Sequence, residues 1–435
     1  MFFSARVFVF AFSLIRLLFD SILWKLSDIQ RKKPLPEEVA DIYDAERYQT
    51  YLDYVADNKR VGNVSKVINL VIDVFLIFSP FYSWIESLCN GNVYIICLAS
   101  YLTMWFVGSV IEVCLSYYDT FTIMEKYGLN KKDHKEFAKD EALGIFSSFA
   151  ISLVLYMIVA YIGEHLSGWT VAGTADKKHM TLVVVGIALL GAVLICLIQL
   201  FSYFILKKQY VFTEMEDGEL KNKINELQAS SKKKVKKIYI YNESKKTTTK
   251  NAFLLKLFWH REFGIADNFM DGNSEDELLA VLSHEIGHLK HKKDWRNFLG
   301  YGISVLLAAV TCVFIINPTP VYALNEWVRS SWSLTQNNYV VLLVVYMDII
   351  NAVMFGDKLF ASYKSKCEEY EADREAVKNG YGEEMITMFK RLSSDELVNV
   401  NPHPVVEALE YSHPGMYKRV KAIREAEQKY NRAKQ

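Results

Sequence analysis

Ser274-Glu-Asp-Glu-Leu-Leu-Ala-Val-Leu-Ser-His-Glu-Ile-Gly-His-Leu-Lys290 reads as a single helix around which the rest of the chain can be organised. Leu278, Leu279, Leu282, Ile286 and Leu289 recur at helical spacing and form one apolar stripe. Ser274 and Glu277 have the spacing of a capping box at its start. Inside the helix His284, Glu285 and His288 spell His-Glu-x-x-His. Residues four apart stand one above the other, so His284 and His288 can aim two imidazoles at one point, as a tetrahedral zinc site requires. Glu285, turned by about 100° from His284, reaches the side where a bound water would sit and is the candidate general base of a zinc peptidase. With 9 His and 50 acidic residues among 435, chance would supply only about 0.02 such matches.

A catalytic zinc needs a third protein ligand and an open fourth position. Lys366-Cys-Glu-Glu-Tyr-Glu-Ala-Asp373 is the place to look, because Glu369 and Asp373 are four apart and share a helix face. Glu369 can bind zinc while Asp373 holds a ligand histidine from behind. Glu368, Glu371 and Cys367 compete with Glu369, and spacing alone does not choose among them.

Composition sets the surroundings. The chain is 51% hydrophobic and 14% aromatic yet 23% charged, so its apolar residues must be gathered in blocks. Runs of about 20 apolar residues give seven expected transmembrane helices, near 3–23, 64–86, 93–117, 143–165, 180–206, 297–317 and 338–357. Arg16 and Asp20 interrupt the first, but no small-residue cleavage site follows it, which favours a retained helix over a signal peptide. Basic residues crowd the connections after the first and third runs, among them Arg31, Lys32, Lys33, Lys131, Lys132 and Lys135. That bias places the N-terminus outside or lumenal and the catalytic segment in the cytoplasm. The expected organisation is a five-helix membrane region over 1–206, a cytoplasmic catalytic segment over 207–296, two further spans over 297–357, and a C-terminal segment over 358–435 that brings the third ligand.

Asp73, Glu112 and Asp348 fall within apolar runs, where charges face a bundle interior or a watery cavity. The six cysteines show no CxxC spacing and read as small apolar residues. A formal net charge of zero gives no footprint for nucleic acid. Ile238-Tyr-Ile-Tyr241 and Ala252-Phe-Leu-Leu255 have strand composition and suggest a β-hairpin beside the helix, with an edge that could take an extended peptide. Lys245, Lys246 and Lys250 between them read as solvated surface.

The combination of His-Glu-Ile-Gly-His with Glu369-Tyr-Glu-Ala-Asp373 and Tyr411-Ser-His-Pro414 followed by Arg419 resembles the type I CAAX prenyl endopeptidases, membrane zinc proteases that cut after an isoprenylated cysteine. Thr120-Phe-Thr-Ile-Met-Glu-Lys-Tyr-Gly-Leu-Asn-Lys131, Ser244-Lys-Lys-Thr-Thr-Thr-Lys-Asn-Ala-Phe253 and Tyr51-Leu-Asp-Tyr54 resemble further segments of that family, with Leu129 where the family carries an aromatic. The resemblance implies Glu369 as third ligand of one Zn2+ per chain and Asp373 as its outer support. It also implies His413 and Arg419 as catalytic groups near the developing oxyanion, and Asn251 and Ala252 as substrate-binding positions. It further implies a predominantly α, polytopic membrane protein whose seven helices enclose a hydrophilic chamber. Partners would be a peptide or protein substrate, prenylated in the family, and membrane lipids, in an endoplasmic reticulum or bacterial inner membrane. Two competing readings are a shorter quality-control membrane metalloprotease, which the five runs ahead of the motif disfavour, and a transporter or receptor with a closed structural zinc.

Overall fold

The structure is a computed structural model that describes residues 3–171, 196–229, 231, 234–257, 260–290 and 318–434. Its N-terminal part is a set of long helices: α1 (Ala5–Arg31), α2 (Ala45–Phe78), the short α3 (Phe81–Leu88), α4 (Val93–Tyr118), α5 (His134–Val171) and α6 (196–209). Among the described residues four helices are long and apolar enough to cross a membrane, namely Ala5–Arg31, Ala45–Phe78, Val93–Met124 and His134–Glu164. A fifth candidate is a bent pair, Tyr339–Ala352 with Phe355–Lys378, which turns through 53°. The expected span at 297–317 and the first part of that at 180–206 lie outside the described residues.

Boundaries differ from the apolar runs for local reasons. The run at 64–86 is broken: α2 stops at Phe78, because Pro80 has no N–H to continue the ladder, and α3 starts afresh after it. In the other direction α2 begins at Ala45, capped by the Asp44 carboxylate accepting from the Arg47 N–H at 2.7 Å, so its first turns project beyond the apolar segment. The run at 338–357 divides at Met354 into α11 (Tyr339–Val353) and α12 (Phe355–Lys378), preceded by α10 (Pro318–Trp332). Polar side chains within the spans meet one another: Ser13 donates to Asp73 at 3.0 Å, and Lys66 lies 3.5 Å from Asp20. A cavity of about 310 Å³ between α1, α2 and α11 is lined by Arg16, Asp20, Lys66, Asn69, Asp73 and Asp348. The five cysteines among the described residues are all free.

The catalytic part is a small sheet packed on helices. β1 (Phe212–Glu214), β2 (Lys237–Tyr241), β3 (Ala252–Leu257) and β4 (His260–Ala266) lie in the order β1-β2-β4-β3, and only the β2–β4 pair is parallel. The expected hairpin of 238–241 with 252–255 is therefore incorrect. β4 sits between those strands, and the true hairpin is β3 with β4. Two physical causes are visible. Phe263 and Ile265 of β4 are fully buried and claim the interior position. The residues between β2 and β3 do not make a tight turn, because they are bound elsewhere: Lys131 N–H donates to the Lys246 carbonyl at 3.1 Å and Thr247 Oγ1 to the Leu129 carbonyl at 3.0 Å. Gly264 admits the Phe253 ring so closely that a Cβ there would meet it at 2.6 Å.

The sheet lies over α7 (Glu219–Leu227), α8 (Asp267–Met270) and α9 (Glu275–Lys290), and the C-terminal helices α13 (Gly382–Asp395), α14 (Pro404–Glu410) and α15 (Met416–Lys434) close the other side. One apolar core runs through all of them and takes in Tyr43 and Tyr51 of the chain entering α2. Residues far apart in sequence thus form one body around α9.

Candidate metal centre

The helix α9 is built as its sequence suggests. Ser274 Oγ accepts from the Glu277 N–H at 3.2 Å while Glu277 Oε2 accepts from the Ser274 N–H at 2.8 Å, a reciprocal cap. Arg391 of α13 adds a 2.8 Å ion pair to Glu277. Leu278, Leu279, Leu282, Ile286 and Leu289 are all buried, so the polar face left over is the one carrying His284, Glu285 and His288.

α12 crosses α9 at Gly287. A Cβ there would lie 2.7 Å from the Ala372 Cα, so only glycine lets the two backbones approach this closely. That approach delivers Glu369 and Asp373, both buried, to the histidines. His284 Nε2 is 3.2 Å from His288 Nε2 and 3.5 Å from Glu369 Oε2, and His288 Nε2 is 3.3 Å from Glu369 Oε1. Bonds of about 2.1 Å in a tetrahedron put ligand atoms about 3.4 Å apart. The triangle therefore has the size a zinc ion fills, and a cation is what two inward-facing imidazole nitrogens and a carboxylate accommodate best. Glu285 also brings a carboxylate oxygen within 4.8 Å of both histidine nitrogens. Both carboxylates thus stand beside the histidine pair, Glu369 from α12 and Glu285 from α9 itself. Glu368 turns away and pairs with Lys364 at 3.7 Å, and Cys367 is a free thiol.

Behind the triangle, His284 Nδ1 donates to Asp373 Oδ1 at 3.0 Å, which turns Nε2 toward His288 and Glu369. Arg419 binds the same carboxylate through Nε at 3.0 Å and Nη2 at 2.6 Å, lies 3.4 Å from Glu369 Oε2, and stacks on the Phe389 ring at 4.2 Å. Burial pushes the Glu369 carboxyl up, but the His288 hydrogen bond and the charges of Arg419, His284 and His413 outweigh it and hold it down at about 2. Burial acts on Asp373 in the same sense and is likewise outweighed by Arg419 and His284, which keep it well below the usual carboxylate range.

The remaining expected residues fall around this centre. His413 is mostly exposed, with Nε2 3.5 Å from Glu369 Oε1 and Nδ1 2.8 Å from Ser412 Oγ, so its ring stands at the open side. Arg419 is buried and occupied by Asp373. Asn251 and Ala252 open β3, the edge strand beside α9. Lys246, expected on the surface, is buried: Nζ holds both Asp140 oxygens at 2.8 and 2.9 Å. Nothing in the local sequence marked it, because its partner is 106 residues away in α5.

Known proteins resemble this chain along most of its length. Residues 25–175 match the family model described as CAAX prenyl protease N-terminal, five membrane helices, and residues 214–427 match peptidase family M48. A probable CAAX prenyl protease 1 of Schizosaccharomyces pombe is 26% identical, with 90% of this chain and 82% of that one covered. A CAAX prenyl protease 1 homolog of Arabidopsis thaliana is 23% identical over 95% and 96%. The crystal structure of S. mikatae Ste24p shares the fold with a TM-score of 0.79 at 21% identity, over 97% of this chain and all of that one. The chain is an integral-membrane metalloprotease, predominantly helical with a small sheet, and belongs to the CAAX prenyl protease family.

Proposed function

We propose that this protein is a zinc endopeptidase that removes the C-terminal residues following a prenylated cysteine, with its active site facing the cytoplasm. The observation that carries the reading is the triangle of His284 Nε2, His288 Nε2 and a Glu369 oxygen, with sides of 3.2 to 3.5 Å, next to β3, the edge strand of the sheet. Zinc held by His284, His288 and Glu369 would supply Lewis acidity toward a water and the scissile carbonyl. Glu285 takes the water's proton and later returns it to the departing amine. Asp373 keeps His284 in the tautomer that faces the metal, and Arg419 fixes Asp373 and Glu369 together. His413, on the open side, donates to the oxygen on which charge develops. Asn251 and Ala252 hold the peptide as an added strand.

The prenyl specificity is carried over from the names of the relatives. Seven spans around a hydrophilic chamber fit the polar cavity lined by Asp73 and Asp348 and a second one, of about 480 Å³, lined by Glu112, Ser116 and Asp119; Asn69 lines both. The test is cleavage of a farnesylated CAAX peptide by the purified protein in detergent, against the same peptide without lipid, with a chelator control. Metal-dependent cleavage after the lipidated cysteine is the expected result. Equal cleavage with and without lipid would replace prenyl processing by general endopeptidase activity.

A further inference from the structure

The edge of β3 is not free along its whole length. Asn251 turns its carbonyl toward β4, where it accepts the Ala266 N–H at 2.9 Å. Backbone groups alternate between the two sides of a strand, so Ala252 presents its N–H and C=O to the open edge. Lys250, two residues earlier, presents its own N–H to that same side. Lys250 is already paired: Glu396 Oε1 accepts its N–H at 3.0 Å. A side chain from the end of α13 thus occupies the ladder position that an added strand would take next.

The turn bearing Glu396 is held firmly. Leu397 is buried with φ of 55°, a left-handed conformation that a leucine adopts only where its surroundings fix it. Tyr43 Oη donates to the carbonyls of Ser393 and Val398 at 2.7 and 2.8 Å. Arg47 donates to those of Ser394 and Asp395, at 2.8 to 3.0 Å. The base of α2 therefore clamps the turn in place. Alongside, Lys250 Nζ lies 3.6 Å from Asp395 and fills the space over Gly272.

We propose that Glu396 is the end stop of the peptide groove and sets how many residues can lie beyond the scissile bond. The inference rests on the strand-addition reading of Asn251 and Ala252. An added peptide favours the antiparallel direction, whose ladder is the more stable. Its C-terminal end then runs from Ala252 toward Lys250. Two residues span about 6.8 Å, so a peptide paired at Ala252 meets Glu396 one ladder position further on, and a leaving peptide that extends past it must displace it. Glu396 is a specificity-determining residue on this account. It has no part in the chemistry.

The test is a series of farnesylated peptides with one to eight residues after the lipidated cysteine, with products identified by mass. For the wild type we expect kcat/KM to fall about ten-fold once the leaving peptide passes the stop, the cost of one displaced hydrogen bond. In Glu396→Ala the ratio of long-peptide to short-peptide kcat/KM should rise about ten-fold. Glu396→Gln, which keeps an acceptor for the Lys250 N–H, should hold the wild-type ratio. A wild-type profile flat in length, or an unchanged ratio in Glu396→Ala, would overturn the stop while leaving the peptidase reading intact. No cleavage of any peptide by the metal-loaded wild type would remove the peptidase reading and the stop with it. Should Glu396→Ala fail to fold, Glu396→Ser, whose shorter side chain also withdraws the acceptor from the Lys250 N–H, carries the same expectation.

Discussion

α9 and the second half of α2 are both helices rich in Leu, Ile and Val, yet they live in opposite solvents. In α9 the apolar side chains are sealed in a packed core, with Leu279 and Ile286 at 0% exposure. In α2, Val64, Val67, Val71 and Phe75 point outward at 53 to 64% exposure. A water-soluble protein could not leave such a stripe uncovered. In a bilayer the same exposure is neutral, because lipid tails are as apolar as the side chains. The comparison teaches that burial by protein fixes the side chains of α9, which holds His284 and His288 within 3.2 Å of each other, and that α2 needs no such precision until its base reaches the core at Tyr48 and Tyr51.

The comparison can be broken or sharpened by mutation. The largest effect is expected from Glu285→Gln, with kcat down by about 10² to 10⁴-fold at full zinc content, measured by peptide cleavage and metal analysis. Neutralising a membrane carboxylate by Asp73→Asn should leave kcat within a few-fold. Glu369→Ala should strip the zinc: stoichiometric, tightly bound metal in that variant would move the third ligand elsewhere. Leu282→Ala in α9 should cost about 2 to 5 kcal/mol, read as a lower thermal midpoint in detergent, whereas Val71→Ala should cost under about 1 kcal/mol. Equal losses would erase the distinction between the two helices. Gly287→Ala should cost about 1 to 3 kcal/mol and weaken zinc binding, since the new Cβ meets the Ala372 backbone. Gly108→Ala in α4, with nothing within 4 Å, should change little. The smallest effect belongs to the joint between the regions. Asp140 accepts from Lys246 Nζ at 2.8 and 2.9 Å and lies 3.0 Å from Lys132 Nζ, so Asp140→Asn should lower the thermal midpoint in detergent by the equivalent of about 1 kcal/mol.

Sequence spacing revealed what depends on neighbours along the chain. The His284–His288 pair, the Ser274–Glu277 cap and the apolar stripe are all set within one helix, so their geometry follows from its pitch. That Glu369 stands against the two histidines while Glu368 pairs with Lys364 did not follow, because it depends on the face that α12 turns to α9, fixed by the Gly287–Ala372 approach. Strand order was illegible for a similar reason. β2 and β3 read as neighbours, but the residues joining them are bonded to 128–132, and that contact has no local signature. Lys246 looked like surface because lysine usually is; its distant partners Asp140 and Glu136 make burial tolerable. Glu396 carried no motif.

The break at Met354 gives the molecule a lever. α12 leaves that joint at 53° to α11 and reaches Glu369 fifteen residues later, a rigid arm of about 22 Å at 1.5 Å per residue. Each degree of rotation at the joint would sweep the carboxylate through about 0.4 Å. Membrane spans tilt to match bilayer thickness, so a tilt at this joint would be felt at Glu369 unless the far end of the arm is held. The close contact at Gly287 and the Arg419–Asp373 pair act as its latch.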